Sequence, residues 1–282
     1  MTSFVVGSFI KLITRSFDSI YTRMYCSTFI RLMDISEYKN IFDNEEHHFF
    51  YKVNHEIILS LVEKYWKISK RDKKACILDA GCGTGLLATK LKQYGDVYGI
   101  DIHPQAVAFS KRRGVKVQQA STEEIPFADN FFDLLISMDV LYHQKVKDDM
   151  VVLAELFRVL KPEGILIIRV PAKNWLFASH DVFVHTRKRY EKKELSKKLL
   201  SAGFQVILIS YVNALLFFPV LIRSFYQRLN PSKTPASSVK HVPVIINRLL
   251  TFFLSQEIGI IIRGNMPFGI GLVAVAVKPK KI

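Results

Sequence analysis

The stretch ILDAGCGTG, residues 77–85, decides the interpretation of the fold. It begins as an apolar run that contains Asp79 and continues into a turn with glycine at positions 81, 83 and 85. Leucines at helical spacing follow, so the order of elements is strand, glycine turn and helix. Glycine lets the backbone adopt a positive φ and approach a ligand closely. The stretch therefore predicts a ligand-binding turn at the end of a buried strand.

Strands and helices alternate along the chain on both sides of this turn. Together with the run at 75–80, apolar runs predict strands at residues 97–102, 115–117, 132–138, 165–170, 204–210 and 270–277. Such alternation indicates a parallel sheet. We predict an α/β fold of the Rossmann-like type, with a seven-stranded, mostly parallel sheet, helices on both faces and an antiparallel last strand.

Residues 211–267 interrupt the alternation between predicted strands six and seven. The segment is too long for an ordinary connection, and we interpret it as a helical insert of two amphipathic helices. The apolar run 206–222 approaches the length of a membrane span, but Asn213 and Pro219 interrupt it. A helix that lies on a surface or covers a pocket is therefore favoured over a span.

Three parts of the chain are predicted from these patterns. Residues 75–282 form the cofactor-binding domain, residues 34–74 form an N-terminal helical lid, and residues 1–33 form a basic and apolar extension. The extension carries four basic side chains against one acidic side chain. Two interpretations of it stay open: a targeting or membrane-surface segment, and a start site placed ahead of the true start at Met33.

Charge and cysteine content restrict the possible partners. A formal charge of +15 attracts nucleic acid, anionic lipid headgroups or phosphate-bearing substrates. No nucleic-acid-binding module is recognisable, so RNA and DNA are disfavoured. Three cysteines without metal-type spacing favour neither a disulfide framework nor a zinc site, and no metal is predicted. We expect a cytoplasmic location, with peripheral contact to a membrane as an open alternative.

The spacing of acids and glycines favours one cofactor. A dinucleotide enzyme carries G-x-G-x-x-G, whereas G-x-G-x-G after an acid suits a ligand with an amino-acid end. Asp101 ends the second predicted strand, where a carboxylate can accept hydrogen bonds from both ribose hydroxyls of an adenosine. The pattern therefore favours S-adenosylmethionine over NAD.

These segments resemble the class I S-adenosylmethionine-dependent methyltransferases of the methyltransferase type 11 group, which includes quinone-biosynthesis methylases. The segments STEEIPFADNFFDLL at 121–135 and ELFRVLKPEG at 155–164 extend the resemblance, which covers about residues 75–210. The resemblance implies that Asp79 and the three glycines line the methionine end of the cofactor and that Asp101 holds the ribose. Ser121 stands where the family commonly has an aspartate that contacts the adenine. The cofactor-binding residues expected are Asp79, Gly81, Cys82, Gly83, Thr84, Gly85, Asp101, Ile102, Ser121 and Met138.

Two further segments resemble a bacterial subgroup of methyltransferases associated with surface-glycan or lipid pathways. They are EEHHFFY at 45–51 and WLFASHDVFVHTRKRY at 175–190. The first is interpreted as an aromatic-rich part of the lid. The resemblance favours a small-molecule or lipid-linked acceptor.

Polar side chains follow the fourth and fifth predicted strands, at the edge where open α/β sheets bind ligands. Methyl transfer to a hydroxyl or phenol needs a base that takes its proton. Candidate catalytic residues are Tyr142, His143 and His180, and candidate substrate-binding residues are Asp181, His185, Arg187, Arg189 and Tyr190. Two alternatives stay open: His143 as a residue that begins a helix, and residues 187–189 as a solvated charge run.

The sequence thus predicts an enzyme that transfers a methyl group from S-adenosylmethionine to a small-molecule or lipid-linked acceptor. A membrane-surface binding protein that keeps the fold without turnover is the alternative from another class. An NAD(P)-dependent oxidoreductase is disfavoured by the spacing of the glycine turn.

Overall fold

The computed structural model describes residues 35–66, 75–229, 242–264 and 266–280. The predicted extension at residues 1–33 lies outside these residues, as does the last part of the predicted lid, residues 67–74.

A seven-stranded sheet forms the centre of the described part of the chain. Its strands are β1 (Cys76–Ala80), β2 (Asp96–Asp101), β3 (Lys116–Gln119), β4 (Phe132–Met138), β5 (Leu160–Pro171), β6 (Gln205–Val212) and β7 (Gly271–Val277). The order across the sheet is β3-β2-β1-β4-β5-β7-β6. The first five strands pair in parallel, and β7 pairs antiparallel with both β5 and β6. The predicted fold class and the antiparallel last strand are confirmed.

Helices connect the strands and cover the sheet. They are α1 (Ile35–Asn44), α2 (Phe49–Tyr65), α3 (Leu86–Leu91), α4 (Pro104–Arg112), α5 (Asp149–Val159), α6 (Ser179–Phe183), α7 (Lys192–Ser201), α8 (Phe217–Leu229), α9 (Val244–Gln256) and α10 (Ile258–Ile261), with a 3₁₀ turn at Asn174–Leu176. The central strands are buried on both sides, as Leu134, Leu135 and Ile136 in β4 illustrate with no exposed surface. Burial on both sides explains why these strands occur as continuous apolar runs rather than as alternating patterns.

The insert begins two residues later than predicted. Tyr211 and Val212 belong to β6, because they pair with Leu272 and Gly271 of β7. The same apolar character that suggested an amphipathic helix suits a strand that pairs within the sheet. The two predicted helices are present as α8 and α9, followed by the one-turn helix α10.

The insert is fixed to the lid and to the sheet by polar contacts. The side-chain oxygen of Asn247 in α9 accepts a hydrogen bond from the backbone N–H of Phe49 at 2.8 Å, at the start of α2. Glu257, at the end of α9, accepts hydrogen bonds from the backbone N–H groups of Ala214 (2.8 Å) and Leu215 (2.7 Å). The end of α9 therefore meets the segment that leads from β6 into α8.

Candidate functional site

The glycine turn is tight on one side and open on the other. Gly81, Gly83 and Gly85 all have positive φ, between 53° and 83°. A Cβ atom at Gly81 would lie 2.1 Å from Cγ2 of Val140, whereas a Cβ atom at Gly83 would meet nothing within 4 Å. Gly81 therefore serves close packing, and the surface beside Gly83 is left free for a ligand.

Asp79 is a buried carboxylate near the end of β1, and one of its oxygens accepts no hydrogen bond from the described residues. The residue is 2% exposed, and its Oδ2 atom has no hydrogen-bond partner among the described residues. Burial, with the nearby charges of Asp101 and Glu45, raises the pKa of Asp79 to about 7. A cationic group placed here, such as the α-ammonium of an amino-acid ligand, would satisfy the carboxylate and stabilise its charged form.

Asp101 is held in a fixed orientation at the end of β2. Its Oδ1 atom accepts the backbone N–H of His103 at 2.8 Å, and its Oδ2 atom accepts that of Gly83 at 2.9 Å. Burial raises its pKa, although these backbone hydrogen bonds oppose the shift. Each oxygen keeps a second lone pair, so the carboxylate can still accept two ribose hydroxyls. The adjacent Ile102 is 42% exposed and offers apolar surface beside it.

The other predicted cofactor residues lie around the same turn and the neighbouring strand ends. Cys82 is buried, with Sγ 3.6 Å from Oγ of Ser110. Ser121 Oγ accepts the backbone N–H of Glu123 at 3.1 Å, which places this hydroxyl in a local turn. Met138 is half-buried at the end of β4. Their contacts with the cofactor remain predictions.

Glu45, which the sequence did not single out by itself, joins the lid to the glycine turn. Its buried carboxylate accepts hydrogen bonds from the hydroxyl of Thr84 and from the guanidinium of Arg113. The ring of Tyr38 in α1 stacks on that of His103 with 4.4 Å between centroids. The N-terminal helices thus lie against the glycine turn and against the end of β2. These contacts join residues far apart in the chain, so they leave no local signal in the sequence.

Asp139 and Arg169 form a second unpredicted pair, at the ends of β4 and β5. The guanidinium of Arg169, 4% exposed, donates to the Asp139 carboxylate, and its carbon lies 5.4 Å from the ring centre of Phe50. Asp139 has a φ of 62°, which is uncommon for a residue other than glycine. The charge of Arg169 within the apolar run ILIIRV was the available signal, because a buried charge requires a partner.

Four buried polar atoms in this region have no hydrogen-bond partner among the described residues. They are Asp79 Oδ2, Ser137 Oγ, Arg169 Nε and His55 Nδ1. Buried polar groups normally have partners, so such a set needs an explanation. β1, which carries Asp79, and β4, which carries Ser137, are the neighbours at which the strand order reverses, and open α/β sheets bind ligands at this switch point. A polar ligand bound at this point would give Asp79 Oδ2 and Ser137 Oγ hydrogen-bond partners.

One ring nitrogen of His143 is used in a hydrogen bond within its own loop. Its Nδ1 atom accepts the backbone N–H of Lys145 at 3.1 Å, and its ring lies 5.9 Å from that of His185. Burial, with the charges of His185 and Lys145, lowers its pKa to about 4, so the imidazole is neutral at pH 7. Burial also raises the pKa of the neighbouring Tyr142 well above its usual range. The role of either side chain as a base remains a prediction.

Asp181 and Arg189 bind each other in the interior. The guanidinium donates from Nε and Nη2 to the two carboxylate oxygens, at 2.9 and 3.1 Å, and both residues are buried. Arg189 also donates to the backbone carbonyl of Ala172 at 3.1 Å. Burial lowers the pKa of the adjacent His180, whose buried Nδ1 atom has no partner among the described residues.

The side chains of Arg187 and Tyr190 also form hydrogen bonds within the protein. Arg187 donates to the buried carboxylate of Asp149, and the hydroxyl of the fully buried Tyr190 donates to the carbonyl of Leu141 at 3.1 Å. The segment is therefore not a solvated charge run. These contacts occupy Asp181, Arg187, Arg189 and Tyr190, whereas the ring of His185 lies beside that of His143. The substrate-binding role of all five residues stays a prediction.

Comparison with known proteins shows what the domain is similar to. The family described as "Methyltransferase domain" matches residues 78–168. The chain is 28% identical over 168 residues to a Mycolicibacterium smegmatis protein named "Probable S-adenosylmethionine-dependent methyltransferase", covering 57% of this chain and 61% of that one. It is 33% identical over 131 residues to the mouse protein named "Probable tRNA methyltransferase 9B", covering 45% of this chain and 29% of that one. The chain thus spans less than two thirds of the length of these curated relatives.

A solved structure extends the similarity over most of the fold. The complex between the Haloferax volcanii Trm112 methyltransferase activator and a methyltransferase contains a chain that matches with a TM-score of 0.54 and 16% identity. The match covers 87% of this chain and 95% of that chain. At this level of identity the likeness concerns the fold.

Proposed function

We propose that the chain is a class I S-adenosylmethionine-dependent methyltransferase, as the family match at residues 78–168 supports, and that it transfers the methyl group of this cofactor to a small-molecule or lipid-linked acceptor. One observation carries the proposal. The open surface at Gly83 lies between a buried carboxylate with an unpartnered oxygen, Asp79, and the oriented carboxylate of Asp101. These are the groups that a ligand with an amino-acid end and a ribose requires.

Residues of β1, the glycine turn and the end of β2 bind different parts of the cofactor. Asp79 holds the α-ammonium of the methionine portion, and the glycine backbone lies close to it. Asp101 accepts hydrogen bonds from the ribose hydroxyls, since charged acceptors bind hydroxyls more strongly than neutral ones. Ile102 packs against the adenine. The cofactor supplies a methyl group on a sulfonium, which passes to a nucleophile held in line with it.

The acceptor binds on the side of β4 and β5, where Ser137 Oγ and Arg169 Nε have no hydrogen-bond partner among the described residues. Arg169, oriented by Asp139, offers Nε to an acceptor oxygen. If the nucleophile carries a proton, a neutral imidazole is the form that can take it, and the low pKa of His143 keeps it in that form at pH 7. His180 and Tyr142 remain alternatives for this step.

The first test is binding of the cofactor. Titration with S-adenosylmethionine and with its demethylated product should show saturable binding to the protein, and NADH should show none. Asp101→Ala should weaken binding, whereas Asp96→Ala, on the same strand but half-exposed, should leave it unchanged. Absence of binding to either adenosyl compound would remove the basis of the proposal.

The second test identifies the acceptor. The protein is incubated with methyl-labelled cofactor and cell extract, and the label is partitioned into lipid, small-molecule, protein and nucleic-acid fractions. Label in the lipid or small-molecule fraction supports the acceptor class proposed. The charge of +15 and the similarity to a protein named for tRNA methylation make RNA the second candidate, which label in the nucleic-acid fraction would favour. The cytoplasmic location stays a prediction, tested by fractionation of cells.

A further inference from the structure

Helix α8 carries an apolar stripe that faces away from the protein. Phe218, Ile222, Phe225, Tyr226 and Leu229 recur at helical spacing and are each between 59% and 68% exposed. The opposite side of the helix is fixed, because the buried hydroxyl of Ser224 donates to the carbonyl of Leu176 at 3.0 Å. The stripe therefore results from the way the helix is attached to the fold.

Helix α9 carries a second stripe of the same kind. Ile245, Leu249, Phe252 and Phe253 are between 52% and 74% exposed. Asn247, on the side that faces α2, donates to the carbonyl of His47 at 2.7 Å. The two stripes together are called the insert face below. Large exposed apolar surfaces of this kind are uncommon on monomeric soluble proteins and indicate an interaction site.

The charge of the insert complements an anionic surface. Residues 211–267 contain six Lys and Arg residues and a single acidic residue, Glu257. That carboxylate accepts the backbone N–H groups of Ala214 and Leu215, so it is turned to the protein rather than to the insert face. Arg223 and Arg248 lie on the exposed sides of α8 and α9.

A groove beside α9 adds a place for a charged group. It has a volume of 640 Å³ and lies between α9 and the start of α2. Lys52 and Arg248 line it together with Phe252 of the insert face; Glu46 is the acidic residue in its lining. Cations beside exposed aromatic rings suit the boundary between lipid headgroups and acyl chains.

The helix does not fit a membrane span. Among the described residues, Val244–Ile261 is the one segment long and apolar enough to cross a bilayer, with 11% of it buried in the protein. Asn247 and Ser255 nevertheless hold it against α2, the latter by donating to Glu56 at 2.8 Å. A helix bound along one side to a folded domain can place only its other side in lipid.

We propose that the insert face docks on the surface of an anionic lipid bilayer, with the apolar side chains of α8 and α9 in the interfacial region and the basic side chains at the headgroups. This docking is independent of the methyl-transfer reaction. It brings the folded domain to the membrane by contact with the bilayer surface, and α9 does not cross the bilayer.

The test is sedimentation of the full chain with vesicles. Vesicles of equal parts phosphatidylcholine and phosphatidylglycerol should bind the protein, and vesicles of phosphatidylcholine alone should bind it more weakly. The double variant Leu229→Glu/Leu249→Glu should bind anionic vesicles at least ~10-fold more weakly, since it replaces two inserting side chains with repelled charges. Leu200→Glu on α7 is the matched control, because Leu200 is 57% exposed outside the insert face, and it should bind as the unaltered protein does.

Three results would overturn the proposal. The first is absence of binding to anionic vesicles. The second is equal binding by the unaltered protein and the double variant, which would assign lipid binding to another part of the chain. The third is a lipid-free dimer that the double variant converts to a monomer, which would make a second copy of the chain the occupant. Circular dichroism and thermal unfolding, done without vesicles, verify the folding of each variant without reference to the cofactor. Failure of this proposal therefore stays distinct from failure of the methyl-transfer proposal.

Discussion

At the carboxyl edge of the sheet the protein buries ionisable side chains, whereas in the insert it exposes apolar ones. Asp79 and Arg169 are nearly inaccessible, and Phe218 and Phe252 are more than half exposed. Both arrangements cost stability, since ordinary folds bury apolar groups and hydrate charges. The difference indicates two kinds of recognition: a polar ligand at the strand ends, and an apolar surface at the insert.

The largest expected effect separates the two sides of one insert helix. Leu254 is 1% exposed and packs on the core, so Leu254→Ala should lower the free energy of unfolding by about 2–5 kcal/mol. Leu249, on the insert face of the same helix, should lose less than about 0.5 kcal/mol on the same change. Denaturant unfolding of the two variants measures the contrast. Equal losses would mean that the insert face is covered by protein.

Removal of a charged acceptor at the strand edge should have the next largest effect. Asp101→Ala should weaken binding of S-adenosylmethionine by about 1.5–3 kcal/mol, because hydrogen bonds to a charged group are lost. Calorimetric titration measures the change, with Asp96→Ala as the control. An unchanged affinity for Asp101→Ala would show that another residue holds the ribose.

The raised pKa of Asp79 predicts opposite pH effects on folding and on binding. The folded protein holds this proton more tightly than the unfolded chain, so the free energy of unfolding should fall as pH rises from about 4 through about 7. A cationic ligand prefers the carboxylate, so cofactor affinity should instead rise as pH passes about 7. Titrations across this range measure both, and Asp79→Asn should remove both trends. Persistence of the trends in that variant would assign them to another group.

The smallest expected effect concerns communication between the two regions. Leu249 lies on the insert face, away from the glycine turn and the end of β2. The variant Leu249→Glu should therefore bind S-adenosylmethionine with an unchanged affinity. Titration of this variant beside the unaltered protein tests the expectation. A clear loss of affinity would show that the insert helps to form the cofactor site.

The sequence predicted those features that neighbouring residues determine. Asp79, the glycines and Asp101 occur at fixed spacing around strand ends, and their positions follow from local strand and turn patterns. The pairs Glu45–Arg113 and Asp139–Arg169 join residues far apart in the chain, so their existence depends on how the sheet is assembled. The basic run at 187–189 was ambiguous because its partners Asp149 and Asp181 lie in other elements, and the pattern of the run does not show which acids it meets.

The contact of Glu45 with Arg113 bears on how the protein can be divided. The family match starts at residue 78, which suggests a module that could be cut out there. A chain cut at that point would leave Arg113, whose side chain is 10% exposed, without the carboxylate that neutralises it. The cut would also remove the buried apolar residues of α2, such as Val53 and Ile57, from the core. We therefore expect the stable folding unit to include α1 and α2, ahead of the start of the family match at residue 78.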